Sequence, residues 1–313
     1  MTPTWPRRNR RSKASQWLGL AAAWLSATLG LALGACSNDA DGDDSESTRA
    51  SPPFYEIARA DGTASGWLLG TIHALPDDTH WRTPAIAQAV SEADVLVVEV
   101  ASLKDRAATG RVFQELAVTP GLPPLTARIS ANLDAETARL ADAAGLSEQQ
   151  QRRTESWAAA LMLARINATG DPGNGVDRAL IGDFTDRPVR ELEGVRGQLG
   201  LFDRLPEDAQ RALLAAVITG AAQGTSEAEA LRAAWLTGDV AALEAASMRG
   251  IMADPVLRET LLVARNRRWL AQIETHLQLS GKPLIAVGAA HLVGPDGLVA
   301  LLEAHGWRVT RRI

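Results

Sequence analysis

Apolar and polar positions are unevenly distributed along the chain. Phe54 to Ala60 alternates between the two, Asp61-Gly62-Thr63 has turn chemistry, and Gly66 to Ile72 is again apolar. This pattern predicts a β-hairpin. Thr83-Pro84 supplies an N-cap followed by proline at the first helical position, so a helix is predicted to about Glu92. Val95 to Val100 is apolar except for Glu99, which fits a strand buried on both faces. Residues 104–170 read as helical, with breaks at Gly121-Leu122-Pro123-Pro124 and Gly145. A short helix is predicted over Gly175 to Phe184 and a strand over Pro188 to Leu192. Residues 195–279 are helical again, in pieces that include Glu207 to Thr219, Ser226 to Leu236, Val240 to Met248 and Pro255 to Leu279. The chain closes with a buried strand from Lys282 to Ala289, a helix from Gly297 to His305 stopped by Gly306, and a strand from Trp307 to Arg311.

Strands at both ends with helices between them predict an α/β fold. The expected architecture is a central mixed sheet of two pseudo-related halves with a large helical insertion, about 104–279. One internal echo suggests the halves. A strand ending in Gly70-Thr71-Ile72-His73 precedes a helix, and so does a strand ending in Gly288-Ala289-Ala290-His291. No repeat of solenoid period is present.

The first fifty residues read as an address. Arg7, Arg8, Arg10, Arg11 and Lys13 form a basic region, and Trp17 to Ala35 is uncharged and mostly apolar. Leu33-Gly34-Ala35-Cys36 then places small residues before a cysteine. That tetrapeptide resembles a bacterial lipobox, which implies cleavage after Ala35 and a diacylglyceryl group on Cys36. An uncleaved anchor, a plain cleaved signal and a twin-arginine route are the alternatives. Ser37 to Pro53 is rich in acids and serine without apolar periodicity, as expected of a linker. The expected organisation is a signal peptide over 1–35, a lipidated cysteine and linker over 36–53, and one domain over 54–313. Ser37 after the cysteine implies the outer membrane, with the domain facing the periplasm.

Composition narrows the function. From Cys36 onward the chain carries 27 Lys+Arg against 37 Asp+Glu, a net charge of −10. An acidic chain without a basic patch is a poor partner for nucleic acid. Cys36 is the sole cysteine, so no intramolecular disulfide is possible.

Two of the five histidines stand out. His73 and His291 are each the fourth residue of Gly-x-x-His, just past an apolar strand, where α/β proteins gather their ligand sites. On adjacent strands the two imidazoles would meet. Glu99 is the third candidate, because a carboxylate within an apolar strand calls for a metal ion or an arginine beside it. Two histidines and a carboxylate suit zinc, iron, manganese or cobalt. His80, beside Trp81, is a surface or supporting residue; His276 and His305 read as helix-surface side chains. Trp157, Trp235 and Trp269 lie on apolar helix faces, as core or as the wall of a groove.

The chain resembles the TraB/GumN family, to which the Tiki-type metalloproteases belong. The resemblance is carried by Leu68-Leu69-Gly70-Thr71-Ile72-His73-Ala74-Leu75-Pro76, Val97-Val98-Glu99, Gly175-Val176-Asp177, Glu191-Leu192-Glu193, Gln198 and Arg265-Asn266-Arg267. It continues through Val287 to Leu298 and Gly306-Trp307-Arg308-Val309. It implies a divalent metal held by His73, Glu99 and His291, with manganese or cobalt favoured and zinc possible, and hydrolysis of a peptide or protein substrate. It makes Glu191, Glu193, Arg265 and Asn266 catalytic candidates, with Glu191 or Glu193 activating water and Arg265 or Asn266 steadying an oxyanion. Asp177 becomes a supporting or substrate-binding candidate. One departure is Ala264 before Arg265-Asn266, where members of the family often carry Glu. The expected activity is thus metal-dependent hydrolysis at the cell envelope; the alternative is a non-catalytic lipoprotein that binds a peptide or another factor.

Overall fold

The predicted hairpin forms from β1 (Phe54–Ala58) and β2 (Ala64–Thr71), paired antiparallel with a register shift at Ile57/Ala58. This computed structural model describes residues 50–103, 105–279 and 281–313. The expected signal peptide, Cys36 and nearly all of the expected linker lie outside the described residues. None of the helices among the described residues is long and apolar enough to cross a membrane.

β3 (Val95–Val98), β4 (Val189–Glu191), β5 (Pro283–Gly288) and β6 (Arg308–Arg311) complete one six-stranded sheet in the order β4-β3-β5-β2-β1-β6. β4, β3, β5 and β2 run parallel, and β1 is antiparallel to both of its neighbours. The fold is therefore the expected α/β type with a mixed sheet. β5 lies between β2 and β3, and its Leu284, Ile285, Ala286 and Val287 are fully buried. That explains its unbroken apolar run. The helix Pro84–Glu92 starts as predicted, with Thr83 Oγ1 accepting the N–H of Ile86 and proline in the first turn.

Two hydrophobic clusters divide the interior. One lies on the sheet and takes in Leu68, Leu96, Ile285, Val287, Trp235 and Trp269. The other is made by helices including Arg106–Leu116, Ser156–Ala164, Gly194–Asp203 and Glu207–Gln223. In it Trp157 meets Phe113 edge-on at 5.5 Å and stacks on Phe202 at 6.1 Å. The helix Ser156–Ala164 is buried nearly all round, as its sequence SWAAALMLA requires.

The helical stretch between β3 and β5 is consequently not one lobe. The helices Val176–Asp183, Ser226–Thr237 and Ala264–Gln278 bring Leu180, Trp235 and Trp269 onto the sheet. All three tryptophans proposed as a groove wall are core residues, at most 1% exposed. The indole N–H of Trp235 donates to the carbonyl of Gly70 at 2.8 Å, fixing the carboxyl end of β2.

Candidate functional site

The carboxyl ends of β3, β5 and β2 lie side by side, and each delivers one of the residues singled out in the sequence. Glu99 follows β3 directly, because the strand stops at Val98 instead of running to Val100. The Glu99 carbonyl leaves the ladder to accept the N–H groups of Glu193 and Gly194, both at 3.2 Å. His73 lies two residues beyond β2 and His291 three beyond β5. Gly288 forms the floor between them. A Cβ placed there would lie 3.3 Å from Glu99 Oε1, 3.5 Å from His73 Nε2 and 3.7 Å from His291 Cδ2. The last residue of β5 has no side chain, and that leaves the space in which the three groups converge.

His73 is held from behind. Its Nδ1 lies 2.6 Å from Asp177 Oδ2, and Thr71 Oγ1 donates to Asp177 Oδ1 at 2.8 Å. Asp177 sits in the first turn of the helix Val176–Asp183, which is capped by Gly175 and tied to β2 through the Val176 N–H on the Ile72 carbonyl. A Cβ on Gly175 would collide with the carbonyl oxygen of His73, so glycine is what allows this close approach. A carboxylate can only accept, so Nδ1 carries the proton and a neutral His73 presents its Nε2 lone pair forward. That Nε2 has no hydrogen-bond partner among the described residues, and the side chain keeps 23% of its surface exposed. Burial disfavours protonation of His73, but Asp177 and then Glu99 outweigh it and its pKa is raised.

His291 is held in the opposite sense. Its Nδ1 meets Asn266 Oδ1 at 2.6 Å, and Asn266 Nδ2 donates to the carbonyls of Asp296 and His291. Its Nε2 faces Arg265 Nη1 at 3.1 Å. Arginine has no acceptor, so His291 Nε2 accepts and Nδ1 carries the proton. Burial, helped by the Arg265 charge, pushes the pKa of His291 down to about 3.

Arg265 ties the parts together. Nη2 donates to Glu99 Oε2 at 2.5 Å and lies 3.0 Å from Glu193 Oε2. Nε is shared by the two Glu193 oxygens at 3.1 and 3.2 Å, and Nη1 also donates to the Leu261 carbonyl at 3.0 Å. Arg265 and Asn266 open the helix Ala264–Gln278 directly after a π-helical turn, Glu259–Val263, a feature frequent at functional sites. Glu99 also accepts Gln198 Nε2 on Oε2 at 2.9 Å and the Gly288 N–H on Oε1 at 2.8 Å. Burial works against the charge of Glu99, but Arg265, the two histidines and the Gly288 N–H together outweigh it and lower the pKa to about 2.

The remaining candidates separate. The Glu193 side chain is buried against Arg265, with Arg268 3.5 Å away. Glu191 is exposed and accepts the Ala101 N–H at 3.1 Å. Strand alternation would have put both glutamates on one side, but β4 ends at Glu191 and Glu193 already caps the next helix. His80 is exposed, in the loop between β2 and the helix Pro84–Glu92. His276 is half-buried, and His305 is exposed and paired with Glu274 at 3.1 Å. Sequence reasoning overlooked Thr71 as the partner of Asp177. It noted Gln198 only as a matching residue, not as a partner of Glu99.

The donor set is right in kind for a divalent ion. Two imidazoles, each fixed at Nδ1 by an oxygen, stand beside a carboxylate. The geometry does not fit one. The guanidinium of Arg265 bridges Glu99 and His291, and among the described residues no group of three or more His, Cys, Asp or Glu is arranged to hold a metal ion.

The family model described as the TraB/PrgY/gumN family matches residues 53–311 of the chain. No curated protein and no solved structure matches it.

Proposed function

The chain belongs to the TraB/PrgY/gumN family, and we propose that it is an exported, lipid-anchored hydrolase of peptide or protein substrates. The observation that carries this reading is the His73–Asp177 pair, which aims an uncommitted Nε2 over Gly288 into the space shared with Glu99. A histidine oriented by a carboxylate is a general base at pH values above its own raised pKa.

The chemistry follows from the residues alone. His73 Nε2 takes a proton from a water molecule in the space above Gly288. The resulting hydroxide adds to the carbonyl carbon of the scissile amide, and the imidazolium returns the proton to the departing amine. The products are a carboxylic acid and an amine, which separate as carboxylate and ammonium once the acid proton has passed to the amine, and one water is consumed. Asp177 holds the tautomer and offsets the charge on His73 during the step. Arg265 was an oxyanion candidate, but its Nε, Nη1 and Nη2 all donate to groups of the chain itself, so its part is to hold Glu99 and His291 in place. Asn266 likewise serves His291.

The test is incubation of the protein with a mixture of peptides and mass spectrometry of the products. It compares wild type with His73→Gln, each with manganese, cobalt or a chelator. Cleavage lost in the variant supports the reading. Absence of cleavage under every condition favours a second reading, a peptide- or factor-binding lipoprotein. That alternative draws on how fully Arg265 and Glu99 are satisfied within the chain.

A further inference from the structure

We infer that Arg265 is the resident cation of this site, so that a divalent ion and the native placement of Arg265 exclude one another. A metal bound by His73, Glu99 and His291 would need a lone pair from each. His291 Nε2 already accepts from Arg265 Nη1, and its Nδ1 carries a proton toward Asn266. Glu99 Oε2 accepts from both Arg265 and Gln198. What remains is His73 Nε2 and one position on Glu99 Oε1. Two protein donors fall short of the three that catalytic zinc sites keep.

Nothing invites the guanidinium to leave. Its three nitrogens donate to Glu193, the Leu261 carbonyl, His291 and Glu99, and Nη2 also lies 3.0 Å from Glu193 Oε2. Its planar face packs on Trp269 at 4.5 Å, and the same indole packs on His291 at 4.4 Å. Removing Arg265 would free His291 Nε2, the third donor an ion lacks, and would also release Glu99 Oε2. The charge that a metal would bring beside Glu99 is supplied here by the polypeptide. This inference concerns occupancy and does not depend on turnover, so it can fail while the hydrolase reading stands.

The experiment titrates the full-length protein with cobalt(II), read by its visible absorption, and with manganese(II) and zinc(II) by equilibrium dialysis. Wild type is expected to show no saturable one-equivalent site. Arg265→Met is expected to gain one, and the gain should vanish when His291→Ala is added. One-equivalent binding by wild type that disappears in His291→Ala overturns the inference. A folded Arg265→Met with no gain also overturns it. Should Arg265→Met not fold, Arg265→Lys is the second variant. Its single ammonium cannot span Glu99 and His291, so a gain of cobalt binding is expected there too, and a folded Arg265→Lys without that gain counts against the inference.

Discussion

His73 Nδ1 and Asp177 Oδ2 stand 2.6 Å apart although 104 residues separate them in the chain. Thr71, two residues before His73, holds the other carboxylate oxygen, so the pair is fixed from both sides. Asp177→Asn keeps the shape but removes the charge that offsets burial of His73. The pKa of His73, followed by NMR of its imidazole, is expected to fall. If His73 is the base, hydrolysis should drop by roughly 10²–10⁴-fold. An unchanged pKa would separate Asp177 from the function of His73.

Arg265 is buried between two carboxylates, with side chains only 8%, 9% and 7% exposed for Arg265, Glu99 and Glu193. Taking away one partner of such a cluster leaves uncompensated charge in the interior. Arg265→Ala is expected to cost about 3–5 kcal/mol of stability, measured by urea denaturation. The Arg196–Glu115 pair is largely exposed, and Arg196→Ala should change stability by less than about 1 kcal/mol.

Gly288 tests the site without removing a charged group. Its φ is not in the left-handed region, so alanine fits the backbone. Its methyl would stand 3.3 Å from Glu99 Oε1 and 3.5 Å from His73 Nε2, in the space assigned to water and substrate. Gly288→Ala is expected to lose most hydrolytic activity while the urea midpoint barely moves. Retained activity would place the reaction elsewhere.

The sheet was legible in the sequence because its strands are apolar runs bounded by turn residues. The convergence of His73 and His291 followed from two Gly-x-x-His segments on strands that prove to be neighbours, β2 and β5. Glu99 was legible as a problem, since a carboxylate beside Val97 and Val98 demands a partner. The choice of that partner was not. Arg265 lies 166 residues away, and only the packing of its helix across the sheet decides between guanidinium and metal. The separation of Glu191 from Glu193 was hidden for another reason. Alternation holds only while a strand continues, and β4 is three residues long. The Trp157, Trp235 and Trp269 faces read as core sooner than as a groove, and the packing of the helices places all three in the core.

The three ionisable groups at the centre predict an unusual stability profile. His73 has a raised folded pKa, so its contribution is complete below the ordinary value of 6.5 and is lost as the pH rises through the folded value. His291 has a folded pKa of about 3 against an ordinary 6.5. The unfolded chain therefore binds its proton first, and stability falls as the pH drops from 6.5 toward 3. Glu99 acts in the same direction at lower pH. It stays ionised in the folded state down to about 2, while the unfolded group protonates near 4.5. The two histidines thus act on opposite sides of one pH, and their joint contribution is greatest near 6.5. Urea midpoints measured from pH 4 to 9 should pass through a maximum there. His291→Asn should flatten the acid limb above pH 4.5, where Glu99 has not yet begun to contribute, and His73→Gln should flatten the alkaline limb. A profile that keeps its acid limb in His291→Asn would mean that His291 is not held neutral by its burial beside Arg265.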